Sequence, residues 1–308
     1  MTIVQLVRRL TQAAPTLLRV ATLRLVNLVS RRMVTHESEA AVVVSLTTFG
    51  KRLASVDLTI ESIATGSLRP RRMMLWLSEE DGRRPLPKPL QRLQRRGVEI
   101  RSCPDYRSHK KYYPYASSMQ KHHIPLVTAD DDVLYPREWL RELYASYQAA
   151  PDSVHAHRAK WILVGEDRAI APYNDWPFAN GDLVTPNTFP TGVGGVLYPS
   201  QLLDRLRDAG ERFKEVAMDA DDVWLHAATL RAGMIARQVS CRPSPVVGLP
   251  GTQGSALWQV NVSAGGNDSQ VAASYGPAEV ERLMTTSELQ SSGVKPWASE
   301  ITAEHAVI

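Results

Sequence analysis

From residue 41 to residue 150, short apolar runs alternate with stretches of helical spacing, and this alternation limits the fold more than any other feature of the chain. "AAVVVSLTTFG" (40–50) is β-branched with no polar alternation, the pattern of a strand buried on both faces of a parallel sheet. "SVDLTIESIATGS" (55–67) then carries Val56, Ile60 and Ile63 on one helical stripe. "RRMMLWLS" (71–78) reads as the next strand, and "PLPKPLQRLQRRG" (85–97) as a short basic helix with a prolyl entry and a glycine stop. "VEIRSC" (98–103) and "IPLVTA" (124–129) read as strands three and four, and "PREWLRELYASYQAA" (136–150) as a helix opened by Pro136. Strands alternating with helices predict an α/β fold with a doubly wound sheet, which binds ligands beyond the carboxyl ends of its strands.

Beyond residue 150 the alternation loosens. "SVHAHRAKWILV" reads as strands, "YNDWPFANGDLVTPNTFPTGVGG" as a long loop region, "YPSQLLDRLRDAG" and "AMDADDVWLHAATLRAG" as helices, and "MIARQVSC" as a strand. "GLPGTQGSALWQVNVSAGGNDSQ" reads as a second glycine-rich loop, with a helix and a polar tail after about residue 276. A chain of 308 residues suits one large domain or two small ones, and 44% hydrophobic with 22% charged residues is ordinary for a soluble globular protein. Cys103 and Cys241 stand far apart and match no metal spacing; both are expected to be reduced, buried thiols of a cytosolic protein.

Charge is unevenly spread. The first 36 residues hold Arg8, Arg9, Arg19, Arg24, Arg31 and Arg32 and no acid, which leaves 30 basic against 32 acidic residues in the remainder. Leucines and valines recur in this arm at three- and four-residue steps between the arginines, but no apolar run approaches the roughly 18–20 residues of a membrane span. No cleavage site follows a compact apolar core, which argues against a secretory signal. Two readings stand: an amphipathic helix, broken near Pro15, lying on an anionic bilayer, or a helix packed on the body or on a partner subunit.

"LVTADDDVLYP" (126–136) puts Asp130, Asp131 and Asp132 side by side at the end of the fourth strand. Adjacent carboxylates are costly unless something positive neutralises them. If the backbone stays extended, Asp130 and Asp132 point to one side and Asp131 to the other, toward a sugar hydroxyl or a backbone amide. One or two carboxylates are too few for an all-protein cage around Mg²⁺ or Mn²⁺, so the missing ligands would be phosphates. The plainer alternative is a solvated acidic turn ahead of a helix. "DADDVWLHAATL" places Asp219, Asp221 and Asp222 at a second helix start, ordinary positions for acids. The preceding "TGVGGVLYP" (191–199), with Gly192, Gly194 and Gly195, allows close backbone approach to a ligand. Together they suit an acceptor pocket with a general base.

The order "VVVSLTTFGKR", "MMLWLSEED", "VEIRSC", "TADDDVLYP", "GVGGVLYP", "DADDVW" resembles a nucleotide-sugar-dependent glycosyltransferase of the GT-A fold, nearest the large family-two type, over about residues 41 to 270. The resemblance implies a mixed, doubly wound sheet with a nucleotide-sugar-binding half (39–150) and an acceptor half (151–275) in one domain (39–275), flanked by the basic amphipathic arm (1–38) and a C-terminal helix and tail (276–308). It implies Mn²⁺ or Mg²⁺ at Asp130 and Asp132, Asp131 near the sugar or ribose, and a base at Asp222 or, second, Asp221. Ser45, Thr47, Thr48 and Arg52 would cradle the nucleotide. Lys110 and Lys111 would neutralise donor phosphate, with Tyr112 or Tyr113 lining the site; a solvated charge pair is the alternative. Gly194, Gly195 and Trp258 would face the acceptor, and Trp161, Trp176, Phe178 and Phe189 would stack on a sugar or fill core. The family's extra histidine ligand has no convincing match in His226 or His305, and Trp258, Asn261, Asn267 and Asp268 are the weak substitutes.

The implied activity is transfer of a sugar from a nucleoside-diphosphate donor, expected to be a UDP-sugar, to a glycan or lipid-linked hydroxyl, with inversion, in cell-envelope or polysaccharide biosynthesis. The protein would be cytoplasmic and peripheral on the inner face of the plasma membrane. The rival readings are a sugar nucleotidyltransferase and a non-catalytic, membrane-associated nucleotide-sugar-binding protein. The single glycine of "TTFGKRL" argues against the first, and leucine at 134 argues against a haloacid-dehalogenase-type phosphatase. Tyrosines interleaved with lysines could suit nucleic acid, but the body is net acidic.

Overall fold

The computed structural model describes residues 3–179, 181, 183–250 and 266–285, with side chains from residue 14 onward. The predicted strands form: β1 (Ala40–Thr47), β2 (Pro70–Ser78), β3 (Val98–Cys103) and β4 (Leu126–Ala129). Past them come β5 (Val154–Ala156), β6 (Ala159–Trp161), β7 (Thr188–Pro190), β8 (Val196–Tyr198) and β9 (Ala236–Gln238). The main sheet has the order β3-β2-β1-β4-β8-β5-β9, and β6 pairs with β7 in a small second sheet. β1, β2, β3 and β4 are parallel to one another, β8 is antiparallel to both its neighbours, and β5 and β9 are parallel. The sheet is therefore mixed, as expected.

β1 shows why both of its faces had to be apolar. Val42, Val44 and Leu46 enter one core layer with the helix Val56–Ala64 and Leu90 and Leu93 of the helix Lys88–Arg95. Val43 enters the opposite layer with Leu202, Leu203 and Leu206 of the helix Ser200–Asp208 and Trp224 and Leu225 of the helix Asp221–Arg231. Helices on both sides of a largely parallel sheet leave no polar face on a central strand. A third, smaller cluster holds Ile162, Trp176 and Phe189 against the Asp221–Arg231 helix and Val271 and Tyr275.

The basic arm is one helix, Ile3–Val29, and Pro15 does not break it. A proline removes one intrahelical bond and crowds the preceding turn, but the leucine- and alanine-rich flanks carry the helix across. Its inner face, Arg19, Leu23 and Asn27, packs on the body. Asn27 donates to Glu61 Oε1 at 2.9 Å and accepts from Arg92 at 2.8 Å, and Arg19 donates to the Tyr135 carbonyl. Leu18, Leu25, Leu28 and Val29 remain exposed on the other side. Among the described residues no helix is long and apolar enough to cross a membrane. Two further expectations need correcting: Cys241 is exposed although Cys103 is buried, and "GGNDSQ" opens a helix, Gly266–Ser274, instead of closing a loop.

Candidate active site

β2 lies on one side of β1 and β4 on the other, so the chain reverses its winding between β1 and β4. Ligands of open α/β sheets bind outside the carboxyl ends at such a switch point. Thr48 and Arg52 follow β1, and Asp130–Asp132 follow β4. Because β8 runs antiparallel, with Val196 opposite Thr128, its entry residues Gly192–Gly195 come to the same edge.

The aspartates do not continue the strand. β4 ends at Ala129, and the chain turns through Asp131 and Asp132. Side-chain alternation therefore does not govern where Asp130, Asp131 and Asp132 point. The Asp131 carboxylate faces inward, where it accepts from Thr48 Oγ1 at 2.6 Å and Arg52 Nη1 at 2.7 Å. It spends its acceptors on the body instead of presenting them to a sugar. Arg52 also reaches Asp132, at 3.1 Å. Even so, burial and the neighbouring Asp130 push the Asp132 carboxyl up to about 6. Negative charge here exceeds what Arg52 neutralises.

Asp130 pairs with Lys111, at 2.8 Å, and Lys111 also reaches Asp221, at 3.1 Å. One buried lysine thus ties the strand-end triplet to the start of the Asp221–Arg231 helix, 91 residues away in sequence. Burial works against the Lys111 cation, but Asp130, Asp221 and Asp222 hold its pKa well above the ordinary lysine value. The two helix-start carboxyls are driven apart. Burial opposes charge on Asp221, yet Lys111 holds its pKa below the usual range. Burial, and then the Asp221 charge, raise Asp222 to about 7. Asp221 is thus held toward its ionised form by the lysine, and the half-buried Asp222 is held toward its neutral form by burial and by Asp221.

The glycine segment forms a wall beside Asp222. Gly192 donates its N–H to Asp222 Oδ2 at 3.0 Å, and a Cβ at Gly192 would lie 2.8 Å from Asp222 Oδ1. Gly195 has φ +87° and lies against Trp139, where a Cβ would come within 2.5 Å of the indole. Trp139 Nε1 in turn donates to the Gly194 carbonyl at 2.8 Å. Gly194 and Gly195 thus seat the wall on Trp139.

Other expected positions are engaged elsewhere. Ser45 accepts from Trp76 Nε1 and Thr47 donates to the Trp76 carbonyl, both inside the sheet. Lys110 is buried against Asp105. Tyr112 and Tyr113 pack around Phe213. Trp161, Trp176 and Phe189 are buried core, whereas Phe178 lies under the Arg158 guanidinium, 4.7 Å from its ring centroid. His226 is buried between the Tyr275 hydroxyl and the Pro186 carbonyl, with its pKa lowered to about 4 by burial. Asn267 is buried, and Asp268 accepts from the Tyr173 N–H at 2.7 Å. Trp258, Asn261 and His305 lie outside the described residues. The pairing of Lys111 with both acidic motifs is not legible in the sequence, and neither is the approach of Tyr173 to Asp222.

Among the described residues no group of three or more His, Cys, Asp or Glu side chains is arranged to hold a metal ion. The surplus of carboxylate charge at Asp130 and Asp132 fits a hard divalent cation only as a two-carboxylate set completed by ligand oxygens.

No family model matches this chain, and no curated protein does. Among solved structures it is similar to a mannosyltransferase from Pyrobaculum calidifontis in complex with GDP-Man and Mn²⁺ (14% identity, TM-score 0.47, 91% of this chain and 79% of that one). It is also similar to a CMP:2-keto-3-deoxy-manno-octonic acid synthetase complexed with CTP (12% identity, TM-score 0.38, 73% of this chain and 100% of that one). Likenesses this distant leave the chemistry to this chain's own residues.

Proposed function

We propose that this chain is a GT-A-type glycosyltransferase that moves a sugar from a nucleoside-diphosphate donor, a UDP-sugar by the resemblance, to a hydroxyl of a glycan or lipid-linked acceptor. The observation that carries the reading is the Lys111 bridge from Asp130 to Asp221, which brings the carboxylate turn and the helix-start carboxyls together at the switch point. Asp130 and Asp132 would hold Mn²⁺ or Mg²⁺, which when bound supplies charge compensation for the donor diphosphate. Thr48 and Arg52 position that turn from behind through Asp131 and Asp132. As the acceptor oxygen bonds to the anomeric carbon, its proton passes to Asp222. The bond from that carbon to the diphosphate breaks, and its electron pair leaves with the phosphate oxygen. Asp222 is matched to this role because a base works best with a pKa near the operating pH. Asp221 is buried against Lys111, which favours a single inverting displacement over a covalent intermediate on that carboxylate.

The outward leucines of the Ile3–Val29 helix, with exposed Arg24, Arg31 and Arg32, are the proposed contact with an anionic membrane at the inner face of the plasma membrane. The test of the donor site is thermal unfolding with a panel of nucleoside diphosphates, with and without Mn²⁺, on wild type and Asp132→Asn. One nucleotide class is expected to stabilise wild type in a metal-dependent way, and the variant to lose that shift. No shift with any nucleotide at millimolar concentration would overturn the reading.

A further inference from the structure

β5 ends at Ala156 opposite Val196, so the residues that follow it emerge at the same edge as the glycine wall. Arg158 is fixed there. Its carbonyl accepts from the Thr191 N–H at 3.0 Å, and its Cβ would lie 3.2 Å from a Cβ built on Gly194. Its half-buried guanidinium rests on the Phe178 ring, and among the described residues none of its N–H donors meets an acceptor. Lys160 stands two residues further along, hence on the same face. Its Nζ donates to the Tyr173 carbonyl at 2.9 Å and sits 4.1 Å above the Tyr173 ring, and the other two ammonium protons have no partner among the described residues. Neither cation has a carboxylate within ion-pair distance among the described residues, unlike Arg52 and Lys111. Tyr173 joins the pair to the base: burial and then the Asp222 charge raise its phenol, and Arg158 opposes them.

This arrangement is unfavourable as it stands. Burial lowers the Arg158 pKa, and burial followed by Arg158 brings Lys160 down to about 8 against the opposing charge of Asp175. Ring contacts attract a cation but do not cancel its charge. Like charges held together in partial burial, with donors unused, are what an anion-binding site looks like before its ligand arrives. A guanidinium fork next to an ammonium suits a phosphate, which takes two cations and several N–H donors.

We propose that Arg158 and Lys160 form a phosphate subsite on the acceptor side of the site, so that the acceptor of this enzyme carries a phosphate group close to the hydroxyl that receives the sugar. The assignment to the acceptor rests on the glycosyltransferase reading. In that reading the donor diphosphate sits by Asp130, Asp132 and Arg52 at the β1–β4 edge, whereas Arg158 and Lys160 lie beyond β8.

The test is titration of inorganic phosphate into wild type, Arg158→Gln/Lys160→Gln and Lys160→Arg, read by thermal unfolding and calorimetry, with and without saturating nucleoside diphosphate and Mn²⁺. Glucuronate serves as the carboxylate probe. Phosphate is expected to bind wild type and Lys160→Arg alike, with or without nucleotide, and to bind the double variant at least tenfold more weakly. The nucleotide shift should be the same in wild type and double variant. Without ligand, the double variant should unfold at or above the wild-type temperature, because a like-charge contact has been removed. The subsite is refuted by any of four results: phosphate that does not bind wild type, phosphate binding that survives the double substitution, glucuronate binding as tightly as phosphate, or a destabilised apo variant. Equal loss of nucleotide and phosphate would assign both cations to the donor and overturn the acceptor claim. Absence of a nucleotide shift alone defeats the glycosyltransferase reading and leaves the phosphate titration to judge the subsite. If the double variant does not fold, Lys160→Gln is read against the same outcomes.

Discussion

Replacing Lys111 by Met keeps most of the side-chain volume and removes the charge that joins the two acidic motifs. The ammonium lies 2.8 Å from Asp130 and 3.1 Å from Asp221 in a buried setting. Removing one partner of a buried pair costs about 3–5 kcal/mol, because the remaining charge stays desolvated. At ~2 °C per kcal/mol for a chain of this size, the midpoint should fall by roughly 6–10 °C at neutral pH. The loss should also depend on pH. In wild type the folded-state pKa of Asp221 is depressed. Its contribution is therefore present above the unfolded value near ~4 and is lost only as pH falls through the lower folded value. In the variant the carboxyls of Asp221 and Asp222 both rise, so the folded form binds protons the unfolded form has released. The gap between wild type and variant should then be widest at neutral pH and shrink as the solution is acidified toward the unfolded carboxylate value. Urea unfolding followed by tryptophan fluorescence at pH 4.5, 6 and 8 measures it. A gap below ~1 kcal/mol, or one that stays constant with pH, would show that Lys111 is not the buried clamp described above.

Asp222→Asn should lower turnover by about 10²–10⁴-fold and leave the nucleotide-induced thermal shift intact, because it removes only the proton acceptor; near-full turnover would reassign the base. In wild type, turnover should climb as pH rises through about 7, where the Asp222 carboxyl ionises, and a flat profile from pH 5.5 to 8 would contradict that role. Gly192→Ala puts a Cβ 2.8 Å from Asp222 Oδ1 and should cost at least ~10-fold in turnover through a displaced base, measured as nucleoside diphosphate release; a rate within twofold of wild type would refute the close-wall argument. Sedimentation with vesicles should show binding to anionic but not to neutral lipid, weakened by Arg31→Gln/Arg32→Gln and by salt, and salt-insensitive binding would point to some other contact.

The first half of the sheet could be read from the sequence because each of its strands is a continuous apolar run and each is followed by a helix with its own stripe. β7 and β8 could not. Each is three residues long and, unlike the equally short β5, β6 and β9, lies in a stretch rich in Pro, Gly and Asn that reads as loop. β8 was also hidden inside "TGVGGVLYP", where the glycines suggested a loop. That matters for the site, because the reversed direction of β8 is what brings Gly192 to the edge where Asp130 lies. The acidic motifs themselves were legible, since charge in excess of helix capping shows in composition. Their connection was not. Whether Lys111 is solvated, binds phosphate or clamps carboxylates depends on residues 19 and 110 positions further along the chain, which only the strand order brings together. The same holds for "HRAKW", where alternation shows only that Arg158 and Lys160 share a face. That neither cation meets a carboxylate within ion-pair distance among the described residues is a property of the packed chain, and it is the packed chain that makes the two cations a candidate for binding an anion and not an ordinary solvated pair.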